Sequence, residues 1–244
     1  MFCNQTEQEG SMAAHPKTTN RLLGALTKAE FKLISAKMEA TPLSFGEPIY
    51  EAGEAIKRIY FPESGIISLL SAVDEYSTLE VGIVGSEGLA GVSVFLGVDV
   101  SPNRALVQGV GFAQTMTPRE FLAICKANTK FSLAVRRFIH SLLAQISQSA
   151  VCNRFHVIDE RLSRWLLMTQ DRMRADEFQI TQDFLANMLG VRREAVNKAA
   201  GNLQGRGLIS YSRGHLTVID RPGLEAAACH CYKLIRQEYD SDGS

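Results

Sequence analysis

Apolar residues follow three different rhythms along this chain. Over residues 22–38, Leu22, Leu23, Leu26, Phe31, Ile34 and Met38 fall near helical spacing, and Thr27 stands three residues before Glu30 as a capping box. One or two short helices are predicted there. From residue 41 to about 117 the texture changes to short Val, Ile, Leu, Tyr and Phe segments separated by frequent glycines, which predicts an antiparallel β-roll or barrel. Strand-length pieces lie at 59–62, 66–73, 78–84 and 104–115. Pro118, following Thr117, then opens a helical pattern that runs through Met173 with one interruption near 127–130. Within it Phe131, Val135, Phe138, Leu142, Gln145 and Ser149 recur in alternating steps of four and three, a heptad seam that either packs on the chain's own β-domain or pairs with the same helix of a second chain, the spacing favouring pairing.

Residues 174–178 are polar and read as a hinge into a second compact unit. After it, residues 180–191 place apolar side chains at Phe184, Leu185, Met188 and Leu189 and end on Gly190. A second helix from Arg192 buries Val196, Ala199, Ala200 and Leu203, and leaves Arg192, Arg193, Glu194, Asn197 and Lys198 outward. Helix, glycine turn and helix make a helix-turn-helix, and residues 208–218 add two short strands around a glycine turn, a wing. A helix is about as wide as the major groove of double-stranded DNA, so side chains near its N-terminus reach base edges. Arg193 and Glu194 are the expected base readers, because arginine donates twice to guanine and a carboxylate accepts from cytosine; Lys198 lies one turn on. Thr181, Gln182, Arg192 and the wing-tip Arg213 suit phosphate contacts, which fix register without reading sequence. A charged helix alone would read as a solvated face, but here spacing, turn glycine and hairpin coincide.

Composition adds bounds. Lys plus Arg and Asp plus Glu are each 26 in 244 residues, so net charge gives no reason to expect nucleic acid. Between Ile180 and Leu216, however, five basic residues face two acidic ones. No apolar stretch is long enough for a membrane span, and residues 1–20 are polar without a secretory core, so a disordered arm and a cytoplasmic location are expected. The five cysteines (Cys3, Cys125, Cys152, Cys229, Cys231) show no C-x-x-C pair. Cys229 and Cys231 would diverge on a continuous helix, so shared chelation there requires the helix to break; neither a metal nor another cofactor is expected. P-loop, nucleophile-elbow, zincin and dinucleotide-binding patterns are all missing, and no enzyme is expected.

The stretch from Ile180-Thr181-Gln182 through Arg192-Arg193-Glu194-Ala195-Val196 to Leu203 and Leu208-Ile209 resembles the cyclic-AMP receptor and fumarate-nitrate regulator (Crp/Fnr) family of bacterial transcription factors, and the resemblance extends over residues 22–219. It implies an α+β fold: a cyclic-nucleotide-binding-like β-roll (21–127), a central dimerisation helix (128–158) and a winged helix-turn-helix (159–244). It also implies that Arg193, Glu194 and Lys198 match base-contacting positions. Members that bind cyclic AMP hold the ribose with Gly-Glu and the phosphate with Arg-Ser. Here the corresponding stretches are Gly88-Leu89-Ala90-Gly91 and Asn103-Arg104-Ala105, so Gly88, Ala90, Asn103 and Arg104 mark a degenerate pocket, and tight cyclic-AMP binding is not expected. The iron-sulfur members carry N-terminal cysteines, of which only Cys3 is present; His140 and His156 are lone helical histidines. The expected partners are double-stranded DNA and a second copy of the chain, with RNA polymerase and an unidentified small-molecule effector as further candidates and Cys152 as the thiol to watch for redox control.

Overall fold

The structure is a computed structural model that describes residues 18–72 and 77–241, so most of the arm expected over residues 1–20 lies outside the described residues. Two short helices open it, α1 (Arg21–Gly24) and α2 (Lys28–Ser35). Thr27 caps α2 in the expected box with Glu30, and buried Asn20 caps α1 while its amide donates to the carbonyls of Pro62 and Gly88.

The glycine-rich middle forms one five-stranded antiparallel sheet. Its strands are β1 (Glu39–Leu43), β2 (Pro48–Tyr50), β3 (Ile59–Ala72), β4 (Thr78–Val84) and β5 (Arg104–Met116), with a short helix α3 (Val92–Phe95) before β5. The order is β1-β5-β3-β4, and β2 also pairs with β5. Strand β3 is long and continuous where the sequence suggested two shorter pieces, and β5 follows the expected piece to within a residue. Their register shifts three times between Pro62 and Ile67, which lets so long a ribbon bend. Gly65, with φ of 82°, and Gly111 sit at that bend because the two backbones touch there: a Cβ on Gly65 would lie 2.5 Å from the Gly109 carbonyl oxygen, and one on Gly111 would overlap Ser64.

The inner side of the sheet carries a polar chain. Ser68 Oγ lies 2.7 Å from a Glu80 oxygen and 2.6 Å from Gln108 Oε1, and Gln108 Nε2 donates to Thr169 Oγ1 at 2.9 Å. A serine has one proton to give. Both contacts are satisfied together when Glu80 is protonated and donates to Ser68, which then donates to Gln108. Burial pushes the Glu80 carboxyl up to about 7 in the same direction, opposed by Ser68 and Arg164. The folded protein therefore binds a proton that the unfolded chain releases near the ordinary value of 4.5, and stability is expected to fall as pH rises from about 5 through 7. Urea titrations at pH 5, 6, 7 and 8 check this; Glu80→Gln should flatten the slope, and an unchanged slope would mean another group produces it.

Three helices follow, α4 (Pro118–Ala127), α5 (Thr129–Phe155) and α6 (Ile158–Met173). Thr117 caps α4 with Glu120, Pro118 sits in its first turn, and Asn128 separates α4 from α5 as the pattern predicted. A second break, at His156 and Val157, divides what the pattern presented as one helix. The expectation that the seam faces a second chain does not hold. Phe131, Val135, Phe138, Leu142, Gln145 and Ser149 are all buried within this chain. Phe131 packs with Phe61 and Phe121, Phe138 covers Gly88, Leu142 covers Gly82, and Gln145 bonds both backbone groups of Ile83. Heptad spacing marks a buried face without naming what buries it.

Helix α6 is enclosed on all sides, with every residue from Arg161 to Gln170 buried. Beyond it come β6 (Glu177–Gln179), α7 (Gln182–Leu189), α8 (Arg193–Gly205), β7 (Ile209–Ser212), β8 (His215–Val218), α9 (Arg221–Ala227) and α10 (Cys231–Ser241). The segment read as a hinge is partly strand: β6 pairs with β8 to give a second sheet, β6-β8-β7. Helix α10 returns to α5 and α6, where Arg21 donates to the Tyr239 carbonyl and the Tyr239 ring stacks under Arg172. Arg172 also forms a buried ion pair with Glu87 at 2.7 Å, joining α6 to the roll. No described helix is long and apolar enough to cross a membrane.

Candidate nucleic-acid interface

Helix α7 begins where Thr181 accepts from the Phe184 amide and ends at Gly190, whose φ of 60° reverses the chain and brings the Val191 amide onto the Ala186 carbonyl. Only three residues separate α7 from α8, so the two helices meet at a sharp angle-setting turn. A buried strip of Val196, Ala199, Ala200 and Leu203 seats α8 against α7 and α6. The opposite strip, Arg193, Glu194, Asn197, Lys198 and Gly201, faces outward.

Arg193 is held rather than free. Its Nε lies 3.4 Å from Gln182 Oε1 and its Nη1 3.5 Å from Asp183, while Gln182 donates its amide to Asn197 at 3.2 Å. These bonds tie the first turn of α7 to the first two turns of α8 and present the guanidinium to one side of a groove of about 400 Å³. Thr181, Gln182, Asp183 and Arg193 line one wall; Tyr211, Ser212, Arg213 and Gly214 line the other. Because both ion-pair partners are more than half exposed, the pair costs little to open.

The second wall is the wing. Strands β7 and β8 are joined by Arg213 and Gly214, both at positive φ (50° and 81°), the geometry of a two-residue type I′ hairpin. Tyr211 anchors it: its hydroxyl donates to the Ile180 carbonyl at 2.9 Å and its amide to Gln204 at 2.7 Å, and burial pushes its phenol up. The Arg213 side chain is left exposed at the tip.

The structure thus brings Arg193, Gln182, Thr181 and Arg213 together around one groove, with Arg192, Glu194 and Lys198 exposed beside it. Asn197 belongs to the same face and was not singled out as a site residue; its position one turn after Arg193 was the available signal. The residues marked as a degenerate pocket have separate surroundings. The Gly88 carbonyl accepts from Asn20, and a Cβ at Gly88 would overlap the Phe138 ring. Ala90 bridges to Tyr60, Asn103 bonds Ser101, and Arg104 pairs with Glu51 at 3.1 Å.

A Crp-like helix-turn-helix domain matches residues 160–227. Solved structures are similar to the chain over most of its length. A Crp/Fnr-family transcriptional regulator from Eubacterium rectale is 18% identical, covering 86% of this chain and 98% of that one, with a TM-score of 0.66. A CRP-family regulator from Thermus thermophilus is 18% identical over 77% and 96% of the two chains, with a TM-score of 0.65. FixK2 from Bradyrhizobium japonicum is 12% identical over 79% and 98%, with a TM-score of 0.67. No curated protein matches the chain by sequence search. Residues 160–227 thus carry a Crp-like helix-turn-helix domain, and the chain as a whole shares the fold of these Crp/Fnr-type regulators.

Proposed function

We propose that the protein binds pseudo-palindromic DNA as a homodimer, with α8 of each chain in a major groove and the wing against the flanking backbone. The arrangement of Arg193 carries this reading: an arginine braced by Gln182 and Asp183 on an outward helix face is pre-set to donate to a guanine. Glu194 and Lys198 complete the base-reading set. Thr181, Gln182, Arg192 and Arg213 ring the same groove, where their donors suit phosphate oxygens.

The outer face of α5 is the surface for the second chain. Leu133, Arg136, His140, Leu143, Ser147, Ala150 and Arg154 recur in steps of three and four, all exposed, with Leu143 57% and nearby Val151 45% accessible. Small residues at Ser147 and Ala150 allow two helices to approach closely, and a two-fold axis there would set the recognition helices roughly 34 Å apart. The roll does not take cyclic AMP in this reading: Phe138 sits against Gly88, and Arg104 is engaged by Glu51.

Fluorescence anisotropy on a selected duplex across a salt series tests the recognition face. Arg193→Ala should weaken specific binding by about 1 to 3 kcal/mol and relax one base position. Arg213→Ala should weaken all duplexes alike and lower the salt slope by about one. Equal, salt-independent binding by all three proteins would remove the proposal.

A further inference from the structure

Helix α9 ends at Ala227 and α10 begins at Cys231, so the helix break that shared chelation requires is present. Through that break Cys229 and Cys231 turn toward one point. Cys152, in the last turn of α5, and His156, at its C-cap, meet them there. The three sulfurs and a ring nitrogen of His156 all lie within 4.8 Å of one another. Cys152 Sγ is 3.4 Å from Cys229 Sγ, and Cys231 Sγ is 3.4 Å from His156 Nδ1. A tetrahedral zinc ion, with bonds of about 2.3 Å to sulfur and about 2.0 Å to nitrogen, sets its donors about 3.5 to 3.8 Å apart. The spacing fits a single ion, whereas an iron-sulfur cluster needs its thiolates spread wider.

The surroundings fit as well. All three cysteines are buried and form a cluster separate from the main core. Gln148 donates its amide to Cys231 Sγ at 3.0 Å, the kind of support that orients a ligating thiolate. Three thiolates and a divalent cation leave one net negative charge. Arg161 and Arg164 are buried close enough for their charge to act on Cys152, and their Nε groups have no hydrogen-bond partner among the described residues. A disulfide between Cys152 and Cys229 would use two of the four groups and leave the convergence of Cys231 and His156 unexplained.

We propose that Cys152, His156, Cys229 and Cys231 form a tetrahedral site for one divalent ion of the zinc class. The ion binds the three sulfurs and the imidazole nitrogen, and the thiol protons pass to solvent. It ties the end of α5 to the start of α10 beside the bend at His156 and Val157, where the chain enters the DNA-binding unit. Metal occupancy would therefore stiffen the one elbow that sets the direction of α6 and, with it, of α8.

The test uses the full-length chain, reduced, stripped with a chelator and titrated with Co²⁺, then with Zn²⁺. One Co²⁺ per chain is expected, with tetrahedral d–d bands and a thiolate-to-cobalt charge-transfer band, both erased by Zn²⁺. Cys229→Ser should weaken Co²⁺ binding at least about tenfold. His156→Cys should keep one Co²⁺ and raise the charge-transfer band by about a third, as four thiolates replace three; a merely structural histidine would not give that change. Absence of tetrahedral bands in the folded native chain, bands unchanged by Cys229→Ser, or a Cys152–Cys229 disulfide in a freshly purified metal-free chain would each overturn the site.

Discussion

Gly111→Val is expected to lower the melting temperature by about 10 °C, the largest stability loss foreseen for a single substitution in this chain. The reason is the close crossing of β3 and β5. A Cβ at Gly111 would meet the Ser64 carbonyl and the Gly65 amide, which are backbone and cannot rotate away. Gly65, opposite, is held at φ of 82°, so the partner strand cannot retreat by adopting another turn without strain. Separating the strands would undo several register pairs of the long ribbon on which the roll is built. Gly201→Ala supplies the contrast. That glycine lies inside α8 with nothing among the described residues within 4 Å of an added Cβ, and the change should stabilise by up to about 1 kcal/mol. Calorimetry on the three proteins would expose an error in the strand crossing if Gly111→Val melted with the native chain.

Leu143→Arg is expected to convert the proposed dimer to a monomer and to reduce affinity for a full palindromic site by about 100-fold or more. Leu143 is the most exposed apolar residue at the centre of the outer α5 stripe and has no packing role inside the chain to lose. Two arginines brought together across a two-fold axis repel and must be desolvated, so the substitution acts on association rather than folding. Losing the second chain removes the effective-concentration gain that joins two half-sites, typically about 10²- to 10⁴-fold. Sedimentation velocity and anisotropy on full and half sites separate the effects: the variant should bind a half site as the native chain does. A variant that stays dimeric would relocate the interface away from α5.

The parts of this fold that were legible in the sequence are those set by neighbours along the chain. Thr27 with Glu30, Thr117 with Pro118, and Gly190 between two amphipathic segments each announce a local geometry, and each is found. The outward strip of α8 followed from the same logic, since burial of Val196, Ala199, Ala200 and Leu203 leaves one face exposed. What stayed hidden depends on distant contacts. The seam of Phe131, Val135, Phe138, Leu142, Gln145 and Ser149 was visible as a buried face, but its cover is the chain's own roll and α10, which arrives from the far end of the sequence. Strand β6 is three residues long and gains its identity only by pairing with β8. The convergence of Cys152 on Cys229, 77 residues away, depends on a helix break among Ala228, Cys229 and His230 that carries neither glycine nor proline.

Selection of duplexes from a random pool by the native chain tests most directly whether α8 reads DNA as half of a symmetric pair. A palindromic motif with half-site centres about 10 base pairs apart, bound by two chains per duplex and no longer enriched by Arg193→Ala, is the expected result. An enriched motif without two-fold symmetry, or the same motif recovered by Arg193→Ala, would contradict it.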